Sequence, residues 1–163
     1  MNTEVKFAKV RSDAIIPTKE IENAGADIYA CFDEEFRIIS PHTTKLIPTG
    51  IACALETGYY FQVEERGSTG SKGIKKSAGV IDSSYRGEIF IAITNINDQP
   101  VAIVKENSIN NLTYDTIVYP YTKAIAQLIL HKLPSYESHE ITYDELKDIP
   151  SNRGIGKLGS TGK

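Results

Sequence analysis

Short apolar stretches, each cut off by glycine, proline or a turn pair, recur along this chain and leave no room for a long helix. Phe36-Arg37-Ile38-Ile39, Thr44-Lys45-Leu46-Ile47, Ile51-Ala52-Cys53-Ala54-Leu55 and Tyr59-Tyr60-Phe61-Gln62-Val63-Glu64 are strand candidates. Pro41, Pro48-Thr49-Gly50 and Thr57-Gly58 separate them. A half-buried strand needs apolar residues at a period of two, and a helix needs them at i, i+3 and i+4. The second pattern is sustained nowhere. Strands at such close spacing predict an all-β sandwich or barrel. Val5, Phe7 and Val10 flank Lys6 and Lys9 and predict a first strand with one dry face. Thr142 with Glu145 three residues on is a capping box for one short helix. Pro150 then stops regular structure, so residues 1–150 are expected to form the β domain and 151–163 a Gly-rich arm. Nothing repeats, which excludes a solenoid.

The 163 residues suit one domain with a real core, and the net charge of −3 argues against a nucleic-acid surface. No apolar run reaches membrane-spanning length, and MNTEVKFAKV has no signal-peptide apolar region. Cys31 and Cys53 have no metal-ligand spacing with a histidine and read as buried, reduced thiols of a cytoplasmic protein.

Chemistry concentrates in four places. Ala78-Gly79-Val80-Ile81-Asp82-Ser83-Ser84-Tyr85-Arg86-Gly87-Glu88-Ile89 predicts a β-hairpin with one acid and one aromatic on a rigid tip, suited to a flat ring on a charged ligand. The alternative is a surface hairpin whose acid caps its own turn. Glu65-Arg66-Gly67-Ser68-Thr69-Gly70-Ser71-Lys72-Gly73 predicts a loop in which amides and a guanidinium hold an anion, or else a flexible connection. Ala24-Gly25-Ala26-Asp27-Ile28 reads as a tight turn entering a strand, with Asp27 as a turn cap or a functional acid. In Lys123-Ala124-Ile125-Ala126-Gln127-Leu128-Ile129-Leu130 a glutamine sits inside an apolar strand and needs a partner there. The tail from Asn152 to Lys163 is Gly-rich and basic, and by composition alone disordered. Its Gly-Ser-Thr-Gly-Lys is not a phosphate-binding Walker loop, because the glycine spacing is absent and no helix can follow.

AGVIDSSYRGEI resembles the third motif of the trimeric dUTPases (dUTP nucleotidohydrolases), and the other four family motifs follow in order between Ala24 and Gly162. The resemblance implies a distorted jelly roll or β-barrel with a flexible C-terminal arm. It also implies hydrolysis of dUTP to dUMP and pyrophosphate by a homotrimer with shared sites, with Mg²⁺ as cofactor. It assigns Asp82 as general base, and Gly79, Val80 and Ile81 to uracil recognition through the backbone. Tyr85 would pack on the deoxyribose. Arg66, Gly67, Ser68, Gln127 and Arg153 would meet the phosphates, and Leu158, Gly159, Ser160 and Thr161 would close over the nucleotide. Asp27 would reach the nucleotide-held Mg²⁺ through water. Departures stand at Gly67, where a serine is usual, at Lys76, where some members have asparagine, at Lys157 for glycine, and at Leu158 for a stacking phenylalanine. Asp82 to Gln127 is longer than in compact members. An exposed insertion is expected at about 105–121, similar to phage and Gram-positive types and open to a protein partner. Two rivals fit the same fold: a dCTP deaminase, for which the stretch lacks a base-facing glutamate, and a regulatory homologue that only binds.

Overall fold

Residues 3–106, 112 and 115–156 are described by the structure, a computed structural model. Among the described residues twelve strands and two short helices follow one another: β1 (Val5–Lys9), β2 (Gly25–Ile28), β3 (Phe36–Ile39), β4 (Thr44–Pro48), β5 (Ile51–Leu55), β6 (Tyr59–Glu64), α1 (Gly67–Gly70), β7 (Ile74–Lys76), β8 (Val80–Asp82), β9 (Phe90–Asn95), β10 (Val101–Val104), β11 (Ile117–Pro120), β12 (Ala126–Lys132) and α2 (Tyr143–Asp148). They pair as β1-β5, β11-β10-β3, β2-β12-β6-β8 and β4-β9-β7. The architecture is all-β, as the punctuated strands predict, and jelly-roll-like, as the family resemblance implies. Among the described residues, no helix is long and apolar enough to cross a membrane.

The chain divides into two compact units, 1–133 and 134–163. All four sheets contribute to the core of the first: Ile28, Ile39, Ile47, Ile51, Ile91, Val101, Ile103 and Leu128 are each at most 1% exposed. β10 lies between β3 and β11 and buries both faces, so Val101-Ala102-Ile103-Val104 has no polar residue to alternate with. β5, with one outer face, alternates as expected. Cys31 and Cys53 are free and buried, and burial raises the pKa of both thiols.

In the second unit, Thr142 caps α2 as its sequence predicts. The Glu145 amide donates to Thr142 Oγ1 at 3.2 Å, and the Thr142 amide donates to Glu145 Oε2 at 2.7 Å. α2 buries none of its residues.

Two expectations are corrected. Residues 78–89 are not a hairpin, because β8 pairs with β6 while β9 pairs with β4 and β7. The chain after the turn is drawn to another sheet: Glu88 Oε1 accepts the Gly50 amide at 2.7 Å, and the Ile89 amide donates to the Ile51 carbonyl at 2.7 Å. Ile81 meanwhile pairs with Phe61 and faces the core. The 105–121 stretch is also not all exposed excursion. Ile117–Pro120 forms β11, parallel to β10, and Tyr119 is 2% exposed. With β3 on its other side, β10 offers one open edge, and an Ile-Val-Tyr run fills it. Residues 107–111, 113 and 114 of that stretch lie outside the described residues.

Candidate active site

The β2-β12-β6-β8 sheet carries three of the predicted residues, Asp27, Gln127 and Asp82, on one face. Directly paired residues share a face. Asp27 pairs with Gln127, Gln127 with Glu64, and Tyr60 with Asp82. Ile28, Leu128, Phe61 and Ile81 alternate with these and point into the core. Asp27, Gln127 and Asp82 therefore all stand on the outer face.

At one end of this face the polar groups converge. Gly25 is buried beneath Gln127: a Cβ there would lie 2.9 Å from Gln127 Oε1 and 3.1 Å from its Cβ. The glycine lets the glutamine lie flat across β2, and Gln127 Nε2 donates to the Glu65 carbonyl at 2.9 Å. That partner holds the strand that leads into Arg66. Arg66 Nε is 2.9 Å from Asp27 Oδ1. Both side chains are about one-third exposed, so the pair orients the guanidinium more than it stabilises the fold.

The loop expected at 65–73 winds into one helical turn, α1. The Arg66 amide donates to Thr69 Oγ1 at 3.1 Å, and Thr69 Oγ1 donates to the Arg66 carbonyl at 2.9 Å. The turn's own bonds use the amides of Thr69, Gly70 and Ser71, and leave those of Gly67 and Ser68 outside them. Burial would raise the pKa of Glu65, but the Lys76 amide and the Lys75 ammonium hold its carboxyl below the usual range, so it anchors the turn as an anion. Together Gly25, Asp27, Arg66, Gly67, Ser68 and Gln127 line a cleft of about 690 Å³. Tyr29, Thr122 and Lys123 line it too, and sequence reasoning missed them. Tyr29 was legible, two residues after Asp27 and just past the end of β2. Lys123 was not, because its place depends on a turn.

At the other end of the face stands Asp82, exposed at the tip of β8. With Tyr59, Tyr60, Val80, Ser83, Ser84 and Leu133 it lines a separate pocket of about 380 Å³. The Tyr85 amide donates to the Asp82 carbonyl at 3.1 Å, which closes the turn. The Tyr85 hydroxyl donates to the Glu88 carbonyl at 2.9 Å, and lies 2.5 Å from where a Cβ on Gly87 would be. Only glycine lets that ring fold back.

Gly79 is crowded by Gln62 Nε2 and Lys76 Nζ, which would lie 2.7 and 3.0 Å from a Cβ. Its carbonyl already accepts the Val63 amide at 2.7 Å. The Ile81 side chain is core rather than site, and its backbone pairs with Phe61 of β6. Val80 is exposed.

The two ends do not meet within one chain. Glu64 opposite Gln127 and Tyr60 opposite Asp82 are four residues apart on β6, about 13 Å along the strand. Arg153 belongs to the second unit, where its amide donates to Ser151 Oγ at 3.2 Å. Lys157, Leu158, Gly159, Ser160 and Thr161 lie outside the described residues.

Comparison with known proteins supplies the family. The dUTPase family profile matches residues 12–110. The deoxyuridine 5'-triphosphate nucleotidohydrolase of Nautilia profundicola is 33% identical over 98% of this chain and 99% of its own. Among solved structures, a mutant Staphylococcus bacteriophage 80alpha dUTPase with dUpNHpp superposes with a TM-score of 0.77 at 20% identity, covering 98% and 99% of the two chains. A mutant dUTPase from phage phi11 of S. aureus, described with a structural Mg(II) ion, gives 0.68 at 18% identity over 85% and 96%.

Proposed function

The chain belongs to the dUTPase family, and on that premise we propose that it hydrolyses dUTP to dUMP and pyrophosphate at a site assembled from more than one copy of itself. One observation carries the second half of this reading. The anion-holding cleft and the lone exposed acid share a sheet face but stand about 13 Å apart along β6. A general base must reach its water within hydrogen-bond distance of the reacting atom. Asp82 of one chain therefore serves the cleft of another, and closure of such a head-to-tail contact after three copies gives the family's homotrimer.

In the assembled site Asp82 takes a proton from water as its oxygen adds to the α-phosphorus. The bond from that phosphorus to the bridging oxygen breaks, and pyrophosphate leaves. Arg66 is oriented by Asp27 through Nε, which leaves its terminal nitrogens for phosphate oxygens. Gly67 and Ser68, whose amides the turn's own bonds do not use, lie in the same cleft as the Gln127 amide, and Arg153 with the arm through Thr161 would add donors. Tyr85, folded over Gly87, would meet the deoxyribose where a 2′-OH would stand.

The donor set fits a hydrated Mg²⁺ carried by the nucleotide. Asp27 is the carboxylate lining the cleft, and among the described residues no cluster of three His, Cys, Asp or Glu forms a cage. When bound, the ion would neutralise phosphate charge, with Asp27 reaching it through water.

Turnover of a dNTP panel with Mg²⁺, scored for pyrophosphate and for ammonia, tests the reaction. Pyrophosphate from dUTP alone is expected, and ammonia from dCTP would overturn the reading. Mixed trimers test the assembly. Arg66→Ala and Asp82→Asn are each nearly inactive, but after co-refolding about a quarter of the sites receive both native residues if the site is shared. No recovery would place both residues in one subunit's site.

A further inference from the structure

We propose that Lys123 is a further substrate-binding residue, the cation that holds the leaving pyrophosphate; the identity of that anion rests on the hydrolase reading above. The charged side chains lining the cleft are Asp27, Arg66 and Lys123. Asp27 compensates Arg66 directly at 2.9 Å, so the positive charge left over to attract a polyanion is that of Lys123. Arg66 binds by geometry, and Lys123 supplies the surplus field.

Lys123 rides on a held turn. Its amide donates to the Pro120 carbonyl at 3.0 Å, and the flanking amides of Tyr121 and Ile125 donate to Val104 and Ile28 at 2.8 and 2.9 Å. The buried Tyr119 hydroxyl donates to the Ala124 carbonyl at 2.7 Å and stands 3.3 Å from Ser68 Oγ. One hydroxyl thus ties the lysine's turn to the Arg66 loop, so both walls of the cleft keep their spacing. Tyr119 is the positioning residue of the pair. With its own hydrogen spent on Ala124, it accepts from Ser68. That proton can turn to a phosphate oxygen when an anion enters.

Calorimetric binding of inorganic pyrophosphate to the full chain provides the test, because it needs no turnover. Lys123→Gln should weaken pyrophosphate binding roughly tenfold, the scale of one charge-assisted hydrogen bond. The deficit should shrink as salt rises from about 0.05 to 0.5 M. Lys45→Gln, an exposed lysine on β4, should bind like wild type. Tyr119→Phe should lose several-fold in pyrophosphate affinity, and combined with Lys123→Gln should fall short of additivity, since both act on one turn. Equal affinity of Lys123→Gln and Lys45→Gln, or no pyrophosphate binding by wild type, would overturn the inference. Loss of dUTP turnover specificity with the pyrophosphate effect intact would instead remove the hydrolase reading and leave the anion site.

Discussion

The two ends of β6 are built in opposite ways. At the Glu64 end, Gln127, Asp27, Arg66 and Glu65 are already hydrogen-bonded or ion-paired to one another, over a glycine that only just admits the glutamine. At the Tyr60 end Asp82 stands exposed on a turn held by its own backbone, by Tyr85 and by the Arg86 guanidinium, which donates to the Ser83 and Tyr85 carbonyls. On the proposed reading, the first end is preorganised to bind and the second carries the reactive acid. Preorganised donors lose little freedom when a phosphate arrives, whereas a base needs only placement against a water. Such a molecule can separate binding from chemistry by mutation.

The sharpest way to separate them is Asp82→Asn. Turnover should fall by at least about a hundredfold with nucleotide affinity almost unchanged, the signature of a lost general base. Retention of more than about a tenth of the activity would mean that the open end is not the reactive one.

Deleting residues 153–163 should remove most of the turnover and leave the melting temperature close to wild type, because the described residues of that segment, 153–156, are exposed and α2 before them buries none of its residues. A large drop in melting temperature for the truncated chain would make the arm part of the fold. A smaller effect is expected at the preorganised end. Gly25→Ala should push Gln127 off the Glu65 carbonyl, destabilise by about 1–3 kcal/mol and raise KM more than it lowers kcat. Unchanged KM would show that the glutamine's place does not matter to binding. Least of all, Leu158→Phe should tighten dUTP binding by about 0.5–1.5 kcal/mol, the increment of an aromatic pair, with no gain for free pyrophosphate. Identical dUTP affinities would break the register assigned to the arm.

Strand positions were legible because a period of two is local, and the Thr142–Glu145 capping box because its partners are three residues apart. The same locality misled at Asp82. Two strand-like runs beside a Ser-Ser turn look like a hairpin, yet Glu88 and Ile89 find better partners on Gly50 and Ile51, nearly forty residues back. Likewise Ile117–Pro120 became β11 only because β10 had an edge to fill.

By itself, the sequence determined the all-β class, the order of the motifs and the chemistry of each: a carboxylate, a guanidinium beside small residues, and a glutamine in a strand. These depend on side-chain type and short spacing. Only the tertiary structure decided that Asp27, Arg66, Gln127 and Lys123 line one cleft, that the Tyr119 hydroxyl links Ala124 to Ser68 beside it, and that Asp82 stands about 13 Å further along β6. Those relations are set by which strands pair and in what register. That choice is made by burying Ile81, Leu128 and Ile103 together in one core, and no local pattern contains it.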